Sequence, residues 1–203
     1  FKYTKIIGIN MMLIKGNGIS LPAEIDPKNN ICVVVTHADG NKEWFYGSNI
    51  VTNDGDIYYA KKGAGESPSS NENFGNAKCV LQNPSSPDTP AKTDDYGDIS
   101  SPITTTNAAQ AVYSGYPKTN DGDADNTGAS ADAVSYRFDW GTSAIDTSSG
   151  NPITGGAIYD AAVSSPNGST KILTHWNFSS PSSFHKTSTD TLKLFVNHTF
   201  NGV

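Results

Sequence analysis

Cysteine is nearly absent: Cys32 and Cys79 are the only two in 203 residues. A small secreted scaffold held by disulfides is therefore excluded, as is a zinc site of the C-x-x-C type. Both lie in apolar, strand-like runs, so two buried free thiols are expected in preference to a single bridge between them. Basic residues are also short, with 14 Lys and Arg against 20 Asp and Glu, a formal net charge of -6 and a pI near 5.0. Binding to a DNA or RNA backbone needs clustered cations, and here they are scattered. Lys61-Lys62 is the one adjacent basic pair, read as a solvated strand end rather than an anion site.

No apolar run approaches the length that spans a bilayer as a helix, so no membrane is expected as a partner. Residues 1–14 are apolar and carry Lys2, which superficially suggests a leader peptide. Lys5, Gly8 and Asn10 interrupt the run, and no small-residue cleavage site follows, so a strand is the better reading. The chain opens on Phe1 without an initiating methionine, which points to a missing or removed preceding segment.

Apolar residues make up 35% of the chain, with Ser, Thr, Asn, Asp and Gly in their place, so much of it must be turn or loop. The strand signal is nevertheless clear. Leu192, Leu194, Val196, His198 and Phe200 alternate with Lys193, Phe195, Asn197 and Thr199, the two-residue period of a strand. Val134, Tyr136, Phe138 and Trp140 alternate with Ser135, Arg137 and Asp139. Ile172, Thr174, Trp176 and Phe178 alternate with Leu173, His175 and Asn177. In the first third, 2–14, 31–37 and 42–46 read as strands, with Ala38-Asp39-Gly40-Asn41 as a hairpin turn. Asn53-Asp54-Gly55-Asp56 reads as a second turn, leading into a strand over 57–61.

Between 63 and 102 the composition shifts to Ser, Pro, Asn, Asp and Gly, and only 78–82 looks like a strand. Pro68, Pro84, Pro87, Pro90 and Pro102 remove backbone donors and interrupt any ladder. This stretch is expected to be an irregular arm that docks on a neighbouring subunit through Phe74, Val80, Leu81, Tyr96 and Ile99. Residues 108–116 read as a short strand or a helical turn, 121–129 as a polar loop, and 153–163 as another strand. The expected fold is all-β, a sandwich or barrel of short antiparallel strands with a long irregular Pro/Ser-rich arm. One domain over 1–203 is expected: an N-terminal strand meander (1–62), the arm (63–105) and a C-terminal β unit (106–203).

No catalytic constellation is spelled out. There is no G-x-S-x-G elbow, and Gly63-Ala64-Gly65-Glu66 lacks the lysine of a phosphate loop. Asp121, Asp123, Asp125 and Asp132 approximate calcium-loop spacing. However, Asn126 stands at the glycine position and Asp132 replaces the bidentate glutamate, so an acidic turn capping its own backbone is preferred. His37, His175, His185 and His198 lack the company of a metal or hydrolase site and read as structural, although His175 and His198 could share a sheet. Trp44, Trp140, Trp176 and the tyrosines could form a sugar-stacking platform, but alternating aromatics more often fill cores and subunit interfaces. Three Asn-x-Ser/Thr sequons, at Asn167, Asn177 and Asn197, are attributed to composition. The expectation is no enzyme, no catalytic residue and no cofactor.

Several segments carry a resemblance. They are Tyr116-Pro117 with the polar loop to Gly128, residues 134–140, Gly155-Gly156-Ala157-Ile158, Leu173-Thr174-His175-Trp176-Asn177-Phe178, and Lys186-Thr187 with residues 190–198. Their order resembles small virion structural proteins of tailed bacteriophages. That resemblance implies a non-enzymatic capsid decoration (cement) protein on the surface of the phage particle. As such it would bind the major capsid protein and sister subunits, as a homo-oligomer, in the first instance a trimer. A tail, baseplate or fibre component is the alternative within that class, and a host-glycan-binding receptor module the alternative outside it.

Overall fold

The computed structural model describes residues 31–103, 118–119 and 133–199. Eight strands and one helix of several turns are found among them: β1 (Ile31–Thr36), β2 (Lys42–Val51), α1 (Asn53–Gly63), β3 (Ala77–Gln82), β4 (Lys118–Thr119), β5 (Ala133–Trp140), β6 (Gly155–Asp160), β7 (Ile172–Ser180) and β8 (Thr191–Thr199). The strands form one sheet in the order β4-β3-β6-β7-β2-β1-β8-β5, and every pairing is antiparallel. Cα atoms of β4 come within 8 Å of those of β5, so the two ends of the sheet approach each other and the sheet is a nearly closed barrel. The protein is all-β in class, as expected.

Register decides the two faces. Val33 sits opposite Phe45 and Leu194, and Leu194 opposite Phe138, which places all four on the inner face. The same face carries Ile31, Val35, Leu192, Val196, Tyr136, Trp140, Trp176, Leu81 and Ile158, all buried. Along β8 burial alternates strictly, with Leu192, Leu194, Val196 and His198 in and Lys193, Phe195 and Asn197 half out. In β7 it does not: Leu173 and His175 on the outer face are as buried as Trp176 on the inner one. That strand lies in mid-sheet and is covered on both sides, as near-continuous burial requires.

Glycine permits the tightest approach. A Cβ on Gly155 would lie 2.1 Å from the Trp176 carbonyl oxygen, and one on Gly156 would lie 2.4 Å from that of Val80 and 2.9 Å from the Trp176 ring. The indole of Trp176 therefore crosses the interior over a strand that has no side chain there.

Two expectations are overturned. The strand expected at 57–61 is part of α1. Thr52 caps the helix, its Oγ1 accepting from the Gly55 amide at 3.1 Å. Asp54 and Asp56 occupy the first turn and Lys61-Lys62 the last, each complementing the helix dipole. The lysine pair is thus a helix C-terminus, not a strand end. Nor is 63–102 an arm awaiting a neighbour. Phe74, Val80, Leu81, Tyr96 and Ile99, its five anchors, are all buried in this subunit's own core. Tyr96 stacks edge-on against Tyr159 of β6 at 5.5 Å, and its amide donates to the Thr170 carbonyl at 2.9 Å. Asp95 and Asp98 hold this turn as a capping box. The Ile103 amide donates to Leu81, and the Asn177 side chain donates to the Asp88 carbonyl. Residues 83–103 form an outer layer over β3, β6 and β7. The strand pair expected at 2–14, the segment 108–116 and the polar loop 121–129 lie outside the described residues.

Candidate functional site

Side chains pack together at both ends of the barrel. At one end α1 follows directly from β2, and Tyr59 reaches inward to His198, with the hydroxyl 2.5 Å from Nδ1. The Tyr59 ring is edge-on to His198 at 5.7 Å, and its hydroxyl also bonds that of Tyr136. Burial pulls His198 down to about 3, so it is neutral in the folded protein, and burial pushes the Tyr59 phenol far up. At the other end Phe184 packs on Phe45 at 4.5 Å and on Phe178 at 5.3 Å. Eight strands enclose a space that side chains can fill, and Phe138, Trp140, Trp176, Leu194 and Val196 are buried within it.

Behind Phe184 lies an ammonium with no exposure. Lys186 Nζ donates to the carbonyls of Ile145 at 3.0 Å, Thr187 at 3.1 Å and Thr142 at 3.2 Å, which uses all three of its protons. Burial draws it down to about 8, opposed by Asp190 and Asp146, so it stays mostly charged at neutral pH. It ties 142–147 to 184–190, and the Thr147 hydroxyl accepts from the Lys186 amide beside it.

The remaining histidines are each held through Nδ1. His175 Nδ1 lies 2.7 Å from Asp94 Oδ2, which also accepts from the Ala91 amide. His185 Nδ1 donates to the Thr147 carbonyl at 2.5 Å. His37 Nδ1 lies 3.1 Å from Asp190, with Glu43 3.6 Å from its Nε2. The bond to Asp190 holds the His37 imidazole above its ordinary range. Burial opposes the Asp190 carboxylate, but bonds from Thr187 and His37 outweigh it and hold that group low. His175 and His198 do share the sheet, on opposite faces and with β2 and β1 between their strands, so they do not converge. Among the described residues no three His, Cys, Asp or Glu side chains form a metal cluster. Asp121, Asp123, Asp125 and Asp132 lie outside the described residues. Cys32 and Cys79 are free and buried, on strands with three others between them in the sheet, with burial pushing the Cys32 thiol up to about 12 and Cys79 well above its usual value. Trp140 and Trp176 are core residues and Trp44 is half-buried, so the three do not form a sugar platform.

On the outside, polar side chains gather around the loop 67–73. Two depressions adjoin there, of about 520 and 330 Å³, and share Ser70 and Asn71. Asp160 sits in the first, buried, with Oδ2 accepting from the Asn73 amide at 2.8 Å and Oδ1 from the Ala162 amide at 2.9 Å. Asn73, Asn76 and Lys62 surround it. The second is lined by Glu72, Thr170 and Lys171. An ion-pair chain fixes the loop: Asp54 to Lys171 at 3.2 Å, Lys171 to Glu72, and Glu72 to Lys61 at 3.5 Å, with Lys61 also bonding Ser69 at 2.9 Å. Lys171 holds the Glu72 carboxyl below its usual range, and Glu72 in turn raises Lys171. Sequence reading missed this groove because Ser70 and Asp160 are distant in the chain and neither belongs to a motif. Comparison with family models, curated proteins and solved structures finds no match to this chain.

Proposed function

We propose that this chain is a non-enzymatic structural subunit of a virus particle, a capsid decoration protein of a tailed bacteriophage that acts through its outer surface. The observation that carries the reading is the nearly closed, internally packed barrel. Its interior is packed by its own side chains from Tyr59 at one end to Phe184 at the other, and buried His198, His175 and Lys186 are each hydrogen-bonded within the subunit. A rigid body of this kind contributes by presenting surface. Such a subunit holds neighbouring capsomers by area burial, with no covalent step.

The likeness to phage virion proteins supplies the assembly. Within the described residues its segments fall on β4, β5, β6, β7, β8 and the turn before β8, which are barrel strands and one connection. In this reading the interfaces to the major capsid protein and to sister subunits in a trimer lie on the barrel's outside. Immunogold labelling of phage particles, with antibody raised against the purified chain, tests the assignment. Label over the head is expected. Label confined to the tail would move the subunit to the tail, baseplate or fibre alternative, and unlabelled particles would overturn the virion reading.

A further inference from the structure

In the paired depressions beside 67–73 a rigid loop, a buried carboxylate and several uncharged polar side chains face a shared space. Their volumes, about 520 and 330 Å³, fall within the ordinary span of small-ligand sites, roughly 300–1,000 Å³. We propose that this double groove binds a neutral oligosaccharide, with one pyranose ring in each depression and Ser70 and Asn71 between them. The inference goes beyond the structural-subunit reading and does not depend on it.

The lining selects the ligand class. Asn71, Asn73 and Asn76 each carry an amide with donors and an acceptor side by side, and the serine hydroxyls do both, which matches vicinal hydroxyls on a sugar ring. Asp160 uses one acceptor position on each oxygen for a backbone amide, leaving further lone pairs for ligand hydroxyls. An anionic ligand is disfavoured: Asp160 lies in the first depression, and Lys171 in the second is already paired with Glu72 and Asp54. A cation is disfavoured too, because Asp160 is the sole carboxylate of the first depression. Apolar ligands would find mainly Pro68, Ala162 and Val163.

Preorganisation supports binding. Asn71 is held at φ +65°, a left-handed conformation uncommon for a residue other than glycine, and the ion-pair chain through Glu72 fixes the loop on both sides. A loop already ordered loses little entropy when a ligand arrives. With no aromatic ring in the lining, single-site affinity should be weak, on the order of 1 mM, and useful where many copies act together.

The test is amide shift mapping of the whole ¹⁵N-labelled chain with four neutral hexamers: maltohexaose, cellohexaose, mannohexaose and chitohexaose. At least one should shift amides within 67–76, 160–163 and 167–171 saturably. Asn71→Gly, which keeps the backbone conformation and removes the amide, combined with Asn76→Ala should weaken that binding about tenfold with an unchanged melting curve. Lys42→Gln, at the exposed start of β2 and outside the groove, should leave it unchanged. No shift with any hexamer, shifts confined to another surface, undiminished binding by the folded double variant, or a large loss in Lys42→Gln would each overturn the proposal. Particle labelling reads out separately, so the groove and the virion role fail or stand apart.

Discussion

His198 and His37 carry opposite pH dependences. His198 is buried and neutral, its pKa lowered from the ordinary 6.5 to about 3. Below pH 6.5 the unfolded chain takes up a proton there that the folded chain refuses. The stability His198 allows is therefore present above 6.5 and lost as pH falls toward 3, by on the order of 2–3 kcal/mol near pH 4.5. Urea midpoints should fall from neutral pH to about pH 4.5 more steeply in the wild type than in His198→Gln, and parallel slopes would contradict the assignment. His37 has the reverse sign, because its bond to Asp190 raises its pKa. Its contribution is full below 6.5 and disappears as pH rises through the folded value, so His37→Gln should cost stability in mild acid and almost none in alkali.

At the scale of elements, α1 depends on its contact with β7 more than on helix propensity. The Thr52 amide donates to the Leu173 carbonyl at 3.1 Å, its hydroxyl donates to the Ile172 carbonyl, and its oxygen also caps Gly55. Gly55 is where the helix touches the strand, and a Cβ there would lie 2.4 Å from the Leu173 carbonyl oxygen. In a free helix Gly→Ala stabilises by about 1 kcal/mol. Here Gly55→Ala should destabilise, by about 1–3 kcal/mol, because backbone must move away from backbone. Denaturant unfolding checks the sign, and a stabilised variant would mean that α1 is not seated on β7 in this way. Thr52-Asn53-Asp54-Gly55-Asp56 carried both a turn signal and a capping signal. The lysine pair two turns on, which favours the helix, was the clue that sequence reading set aside.

For the molecule as a whole, the decisive feature is that the Pro-rich stretch belongs to the fold. Its segment 83–103 covers the outer face of β3 and β6 with Tyr96, Ile99 and Ile103, and the Asn53 amide donates to the Lys92 carbonyl, joining it to α1. Deleting 83–103 would expose Val80, Ala157 and Tyr159, all now buried. The deletion variant should lose cooperative thermal unfolding by circular dichroism, and limited proteolysis of the intact free chain should spare 77–103. A deletion variant that melts like the wild type would restore the view of this segment as a separate arm.

Strand identity was legible in the chain because a half-buried strand writes its two faces into alternate residues. Leu192-Lys193-Leu194-Phe195-Val196 and Tyr136-Arg137-Phe138-Asp139-Trp140 needed nothing else, and the turn at Ala38-Asp39-Gly40-Asn41 was marked by its own residues. The burial of both cysteines followed in the same way from the apolar runs around them. What local pattern could not supply was pairing order, since any of these strands could add to any edge, and hence the near closure that brings β4 to β5. Nor could it show that Leu173 and His175 would be covered from outside, because the residues that cover them come from elsewhere in the chain. The groove belongs wholly to tertiary structure: Asp160 becomes a site residue only when β6 ends beneath Asn73, and the sequence carries no local energetic signal for that meeting.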